Sequence, residues 1–260
     1  VELKATAGSA ANLRLLTGEY LQLAIAQADL VQDAYDQTGI FADEEETRGF
    51  GAVAALYTEN CQVVVRADSG IESVEDLQGR TVSIGAEESG SEQNALQILA
   101  AYGLNEKMVD MVNLNYEDAA AQLKAGKVDA IFMTVGAPSP VLTELAGECA
   151  IRLLNVDGTA AQRLQSAYSA YSAVTLPAGT YPGQDADVHT VGVKAVLLAS
   201  DELPAKQVQK LTELLFSNRE TLEEQLGIAL DTEENAVEGV GIPFHAGVAA
   251  YYKTTGITVE

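Results

Sequence analysis

The chain has 260 residues, 47% hydrophobic and 20% charged, which excludes disorder and fibrous repeats and leaves room for one large domain or two lobes. Its 38 Asp and Glu against 15 Lys and Arg give a formal net charge of −23, so no basic stripe exists to displace counterions from nucleic acid or to settle on an anionic membrane. No uninterrupted apolar run reaches about 18 residues, so no segment reads as a membrane span.

Apolar runs of strand length alternate with amphipathic helical stretches, which is the α/β pattern. A helix is expected from near Ser9, then strands over 21–27, 52–57 and 62–67. A helix near Ser73, a strand over 81–85, a helix near Ser91 and a strand over 111–114 follow. Next come a helix from Tyr116, a strand over 130–135, a helix from Pro140, a strand over 151–156 and a helix from Thr159. Strands over 173–176 and 191–198 precede the longest helix, expected over 204–226. Pro204 sits in its first turn, where the missing N–H costs nothing, and Gly227 closes it. Short helices near Glu233 and Gly247 end the chain.

The acidity reads as a solvated surface that keeps the protein soluble, with recognition of a basic partner or of calcium as the sharper alternative. The densest acidic run, Asp43-Glu44-Glu45-Glu46, lacks the Gly and the acidic spacing of a calcium loop and reads as a solvated loop. The opening Val1-Glu2-Leu3-Lys4 has no apolar signal-peptide core, so an exported protein would be in a mature or shortened form.

One unit occurs twice. Residues 12–18 lead into Leu23-Ala24-Ile25, and residues 121–126 lead into Asp129-Ala130-Ile131-Phe132. Each reads as a helix closed by a glycine with positive φ, Gly18 or Gly126, then a buried strand. The first strand opens into a polar loop, Gln27-Ala28-Asp29, and the second into Gly136-Ala137-Pro138. Ligands in open α/β sheets bind beyond the carboxyl ends of strands, so two such units suggest two lobes, although helix–Gly–strand is common in any α/β protein. The stretch Gly85-Ala-Glu-Glu-Ser89-Gly90-Ser91-Glu92 joins a strand to a helix, with Ser89 or Ser91 as N-cap. Free N–H groups at that helix start favour an anion, or else the serine simply caps its own helix. Gly8-Ser9-Ala-Ala-Asn12 repeats the arrangement. The loop from Pro177 to Gly183 is rich in turn formers and either offers an aromatic wall or turns the chain.

No catalytic constellation emerges. There is no Gly-x-Ser-x-Gly elbow, and Gly49-Phe50-Gly51 lacks the third glycine of a dinucleotide loop. His189 and His245 have no second ligand at helical spacing, and His245 is expected to pack or to cap a helix. Cys61 and Cys149 have no neighbouring His or cationic flank, and two cysteines make neither a disulfide scaffold nor a zinc site. No catalytic residue, metal ligand or cofactor is assigned.

Taken in order, the segments Gly8-Ser9-Ala-Ala-Asn12 with Ala24-Ile25-Ala-Gln27-Ala-Asp29, Val63-Val-Val-Arg66-Ala-Asp68-Ser69-Gly70-Ile71, Val74-Glu75-Asp76-Leu77-Gln-Gly79, the loop 85–92, Val135-Gly136-Ala-Pro138, the stretch 178–185 and Pro243-Phe-His245-Ala-Gly247 with Tyr251-Tyr252 resemble the TAXI family of TRAP-transporter solute-binding proteins. The resemblance covers essentially the whole chain. It implies a two-lobed periplasmic-binding-protein fold of the type II-like kind, with a hinge of two crossing strands near 65–68 and 191–194. It implies an extracytoplasmic, periplasmic receptor, a monomer and not an enzyme, that closes on a small carboxylate such as glutamate or a related amino acid or 2-oxo acid. Delivery is to the membrane permease of a TRAP transporter. An enzyme, or a ligand sensor working without a transporter, is the alternative on the same fold.

By the same resemblance the first lobe is 1–66 plus 195–260 and the second 67–194. Gly8, Ser9, Asn12, Gln27 and Asp29 would line the cleft from the first lobe. Ser89, Gly90, Ser91, Val135, Gly136, Ala137, Thr180 and Tyr181 would line it from the second. Two departures stand out. The family's opening strand and ligand loop are absent, so this chain is expected to be less stable and to bind more weakly than one carrying them. The turn after Gly18 also carries one residue more than usual. These walls hold no Lys or Arg, so an anion would rest on helix N-termini at Ser9 and Ser89–Ser91 and on the hydroxyls of Thr180 and Tyr181. Asp29 would pair with an amine, which favours an amino acid such as glutamate. Cys61 and Cys149 are expected in different lobes and unpaired.

Overall fold

The computed structural model describes residues 2–45 and 47–259; Glu46, which ends the acidic run, lies outside the described residues. In chain order come α1 (Ser9–Thr17), β1 (Leu23–Gln27), α2 (Ala28–Asp36), β2 (Phe50–Arg66), β3 (Thr81–Ser83), α3 (Gly90–Ala101), β4 (Asp110–Val112), α4 (Tyr116–Lys124) and β5 (Ala130–Val135). Then follow α5 (Pro140–Glu148), β6 (Ile151–Leu154), α6 (Gly158–Ala167), β7 (Ser172–Leu176), β8 (Val188–Ser200), α7 (Ala205–Ser217), α8 (Arg219–Leu226) and α9 (Ala246–Thr255). The chain forms two compact units: Val1–Thr58 with Lys194–Glu260, and Glu59–Val193. The division falls within β2 and within β8, whereas the sequence reading placed it after Arg66 and before residue 195.

In the first unit β1 pairs antiparallel with β8, Leu23 opposite Ala199 and Gln27 opposite Ala195. Val53, Ala199, Val208, Val248 and Tyr252 form one core of this unit, with Phe216 and Phe244 packed around them. α7 crosses α9 so closely that a Cβ on Gly247 would run into the Ala205 carbonyl, which requires glycine there.

In the second unit β5 lies between β2, antiparallel, and β3, parallel, and β4 extends the parallel side. Strand alternation supplies two apolar faces. Val63, Val65, Ala130 and Phe132 pack with Val82, Ile98 and Leu99 of one core. Val64, Ile131 and Met133 pack with Leu123, Leu142 and Leu145 of the other.

Several expectations need correction. The two strands over 52–57 and 62–67 are one, β2, because the stretch between them contains no Gly or Pro and Asn60, a turn former elsewhere, pairs with Val135 instead. The single helix over 204–226 is two: Asn218 Nδ2 donates to the Leu214 carbonyl at 2.8 Å and Ser217 Oγ to Glu213, side-chain bonds that compete with the backbone ladder. The polar loop after β1 does not exist, since α2 starts at Ala28 with Gln27 as N-cap and buries Leu30, Val31 and Ala34. Gly126 has the expected positive φ of 67°, but Gly18 has φ −78° and Glu19 takes the left-handed position at 62°. Near Ser73 and Glu233 there are single 3₁₀ turns, Val74–Leu77 and Asn235–Val237. Neither cysteine is in a disulfide, but both belong to the second unit, because β2 enters that unit before Cys61.

Candidate functional site

In the first unit three of the expected residues are tied together. Ser200 N–H donates to Gln22 O at 2.9 Å, and with the β1–β8 register this turns the backbone groups of Leu23, Ile25 and Gln27 away from β8. Side chains of α1 meet them there. Ser9 Oγ accepts the Gln27 N–H at 3.1 Å, and Asn12 Nδ2 donates to Ile25 O at 2.8 Å. The Asn12 amide is oriented by Thr6 Oγ1, which donates to its Oδ1 at 2.6 Å. Gly8 is the N-cap of α1, with φ 142°. Gln27 and Asp29 are buried, the latter in the first turn of α2.

In the second unit the stretch after β3 bends at Gly85, φ 102°, where a Cβ would lie 2.8 Å from Ser91 Cβ. Ser89 is the N-cap of α3 and accepts the Glu92 N–H at 3.1 Å. Glu92 places its own carboxylate at this helix start, accepting from Glu88 N–H at 2.9 Å and from Asn113 Nδ2 at 2.7 Å. Gly90 opens the helix and is buried.

Ser91 points inward instead. Its hydroxyl, buried with a residue exposure of 1%, accepts the Thr134 N–H at 2.9 Å and lies 2.6 Å from Tyr116 Oη. Tyr116 donates to Thr134 O at 2.9 Å. One proton arrangement satisfies all three: Thr134 N–H to Ser91, Ser91 O–H to Tyr116, Tyr116 O–H to the Thr134 carbonyl. This closed ring sits where β3 has already ended, so side chains complete what a strand neighbour would have bonded.

Tyr181, in a loop expected either to offer an aromatic wall or to turn the chain, is core, with 1% exposure. Its hydroxyl donates to Gln62 Oε1 at 2.6 Å and accepts the Ser139 N–H at 2.9 Å. Burial pushes its phenol above the ordinary tyrosine value. Gln62 Nε2 reaches Val135 O at 3.3 Å. Thr180, half-buried, donates to Pro177 O at 2.7 Å. The segment from Val135 to Ser139 is therefore bonded on both flanks. Among the described residues, the N–H groups of Gly136 and Ala137 within it have no hydrogen-bond partner.

Gln62 and Tyr116 escaped the sequence reading. Gln62 left a signal, an amide inside the apolar run Cys61-Gln62-Val63-Val64-Val65, where a buried polar group requires a partner. His245 caps α9 as expected, its Nδ1 accepting the Gly247 N–H at 3.1 Å. Among the described residues no three His, Cys, Asp or Glu gather to hold a metal. A cavity of about 380 Å³ in the first unit is lined by Glu19, Glu45, Asp201 and Glu202 with Arg48. A groove of about 650 Å³ lies between α4 and α5 in the second. Neither is lined by a residue that the sequence assigned to the ligand walls.

Residues 1–256 match the NMT1-like family, and the chain belongs to it, a family of periplasmic solute-binding proteins. Among solved structures, a Xanthomonas citri protein bound to a chloride ion is 11% identical with a TM-score of 0.53, over 93% of this chain and 81% of that one. A Listeria monocytogenes protein provisionally described as an L-cystine ABC transporter is 16% identical with a TM-score of 0.50, over 86% and 77%. The periplasmic aliphatic sulphonate binding protein of Escherichia coli is 17% identical with a TM-score of 0.49, over 97% and 68%. At such identities the likeness is one of fold, that of two-lobed, type II-like periplasmic binding proteins. The family and fold are those of extracytoplasmic receptors that bind a small molecule and serve a membrane transporter. Among the described residues no helix is long and apolar enough to cross a membrane.

Proposed function

We propose that this member of the NMT1-like family closes on a small carboxylate, glutamate or a related amino acid or 2-oxo acid, and delivers it to the permease of a TRAP-type transporter without chemical change. The observation that carries the ligand class is the segment 135–137. It ends a buried strand, bears only small side chains, and offers the N–H groups of Gly136 and Ala137, which suit a carboxylate. The TRAP partner rests on the ordered sequence resemblance. An ABC-type permease is the second reading, prompted by the description of the Listeria neighbour. Of the ligand walls expected from sequence, Gly8, Gln27, Asp29, Ser89, Gly90, Val135, Gly136, Ala137 and Thr180 are retained in the proposal. Asp29 is assigned to a ligand amine, which favours an amino acid over a plain dicarboxylate.

Calorimetric titration with amino acids and 2-oxo acids at low and high salt tests the reading. Stoichiometric binding of one such compound is expected, stronger at higher salt, because the field of a chain with net charge −23 opposes an anion until it is screened. Preference for a cationic ligand, or binding that weakens steeply with added salt, would overturn it. Co-purification with TRAP or with ABC permease subunits separates the two partner readings.

A further inference from the structure

We infer that Gln62, Ser91, Tyr116 and Tyr181 are positioning residues that hold the segment from Val135 to Ser139 so that the open amides of Gly136 and Ala137 meet the ligand. The inference rests on the receptor reading above and assigns Ser91 and Tyr181 to the support of the site and not to contact with the ligand. Four separate stretches of the second unit converge on this one segment: β2 through Gln62, α3 through Ser91, α4 through Tyr116, and the loop after β7 through Tyr181. The Ser91–Tyr116 ring fixes Thr134 on one flank by both its N–H and its carbonyl. On the other flank Tyr181 fixes Ser139 N–H, and Gln62 links that phenol to the Val135 carbonyl.

Both phenols use their proton and a lone pair on this segment or on its immediate supports. Ser91, Thr134, Gln62, Ser139 and Tyr181 are each at most 4% exposed, so water cannot substitute for a lost partner. Between the flanks stand the two residues whose N–H groups no other described residue engages. A segment held rigidly at both ends with its donors open is preorganised, and binding then loses little free energy to ordering.

Tyr116→Phe and Tyr181→Phe each delete one hydroxyl; Gln62→Met removes the Tyr181 partner by another route in case Tyr181→Phe does not fold. Tyr171→Phe is the control. Its buried hydroxyl also accepts from one side chain, Asn94, and donates to another, Gln97, both of them on α3 and outside the 135–139 segment. In ligand-free protein, amide hydrogen exchange across 135–139 is expected to quicken by about fivefold or more in the first three variants and not in Tyr171→Phe. L-Glutamate binding, read well below melting, is expected to weaken by about five- to twentyfold in the same three only. Tyr171→Phe should lower the melting temperature and leave both readouts unchanged. Unchanged exchange in the three variants, or undiminished L-glutamate affinity, would overturn the inference. If the wild type binds no L-glutamate, the proposed ligand class is what fails, and exchange alone decides the positioning role.

Discussion

The first unit at Ser9 and the second at Ser91 solve one problem with different thoroughness. In each, a serine at a helix start accepts the N–H of a strand residue that has no neighbouring strand on that side, and a second side chain donates to a strand carbonyl. Ser9 and Asn12 do this for Gln27 and Ile25 of β1; Ser91 and Tyr116 do it for Thr134 of β5. The first pair is half-buried and open, so water can replace a lost partner. The second is a closed ring with Ser91 at 1% and Thr134 at 4% exposure, where a lost partner leaves an orphaned group. The same local chemistry is thus an edge cover in one unit and a scaffold in the other, and burial decides which.

The strongest way to break the second arrangement is to push Ser91 itself. Gly85→Ala places a Cβ against Ser91 and forces a left-handed φ on alanine, and is expected to cost about 2–4 kcal/mol in denaturant titration. Ser91→Ala, which orphans the Thr134 N–H, is expected to cost about 1–3 kcal/mol in the same measurement. Ser9→Ala or Asn12→Ala should cost only about 0.5–1.5 kcal/mol, because each of these side chains is half-buried and water can take its place. Equal losses for Ser9→Ala and Ser91→Ala would erase the distinction between the units.

The smallest effect is a pH dependence. Asp76 accepts from the N–H groups of Glu72 and Ser73 and from the Ser73 hydroxyl, which hold its carboxyl below the ordinary aspartate value. A depressed folded-state value means this contribution is present above the unfolded pKa and fades as pH falls through the folded one. Asp76→Asn should therefore lower the stability of the second unit slightly near neutrality, with the deficit fading as pH falls through the folded-state value, as followed by melting at a series of pH values.

Much of this was legible from the residues alone. The α/β alternation, β5 over 130–135, the Ser89 cap and the His245 cap follow from periodicity and from the chemistry of helix starts. Side-chain direction was not legible. The loop from Pro177 to Gly183 reads correctly as a loop, yet nothing local tells that Tyr181 turns inward to Gln62, a partner 119 positions away. Ser91 and Ser89 look alike as caps, and only the end of β3 short of Thr134 makes one of them a strand partner. The run Gln27-Ala28-Asp29 reads as a polar loop because its helix begins without a connecting residue, although Leu30, Val31 and Ala34 already carry the helical spacing. The break at Asn218 depends on competing side-chain bonds that helix periodicity does not encode.

The account turns on stoichiometric, unreactive binding of a small carboxylate. Native mass spectrometry of the protein, incubated with an equimolar mixture of amino acids and 2-oxo acids and then denatured to release what it holds, tests this most directly. One carboxylate per chain, recovered at its original mass, is the predicted result; a chemically altered compound, or a spectrum with no adduct from the mixture, would contradict it.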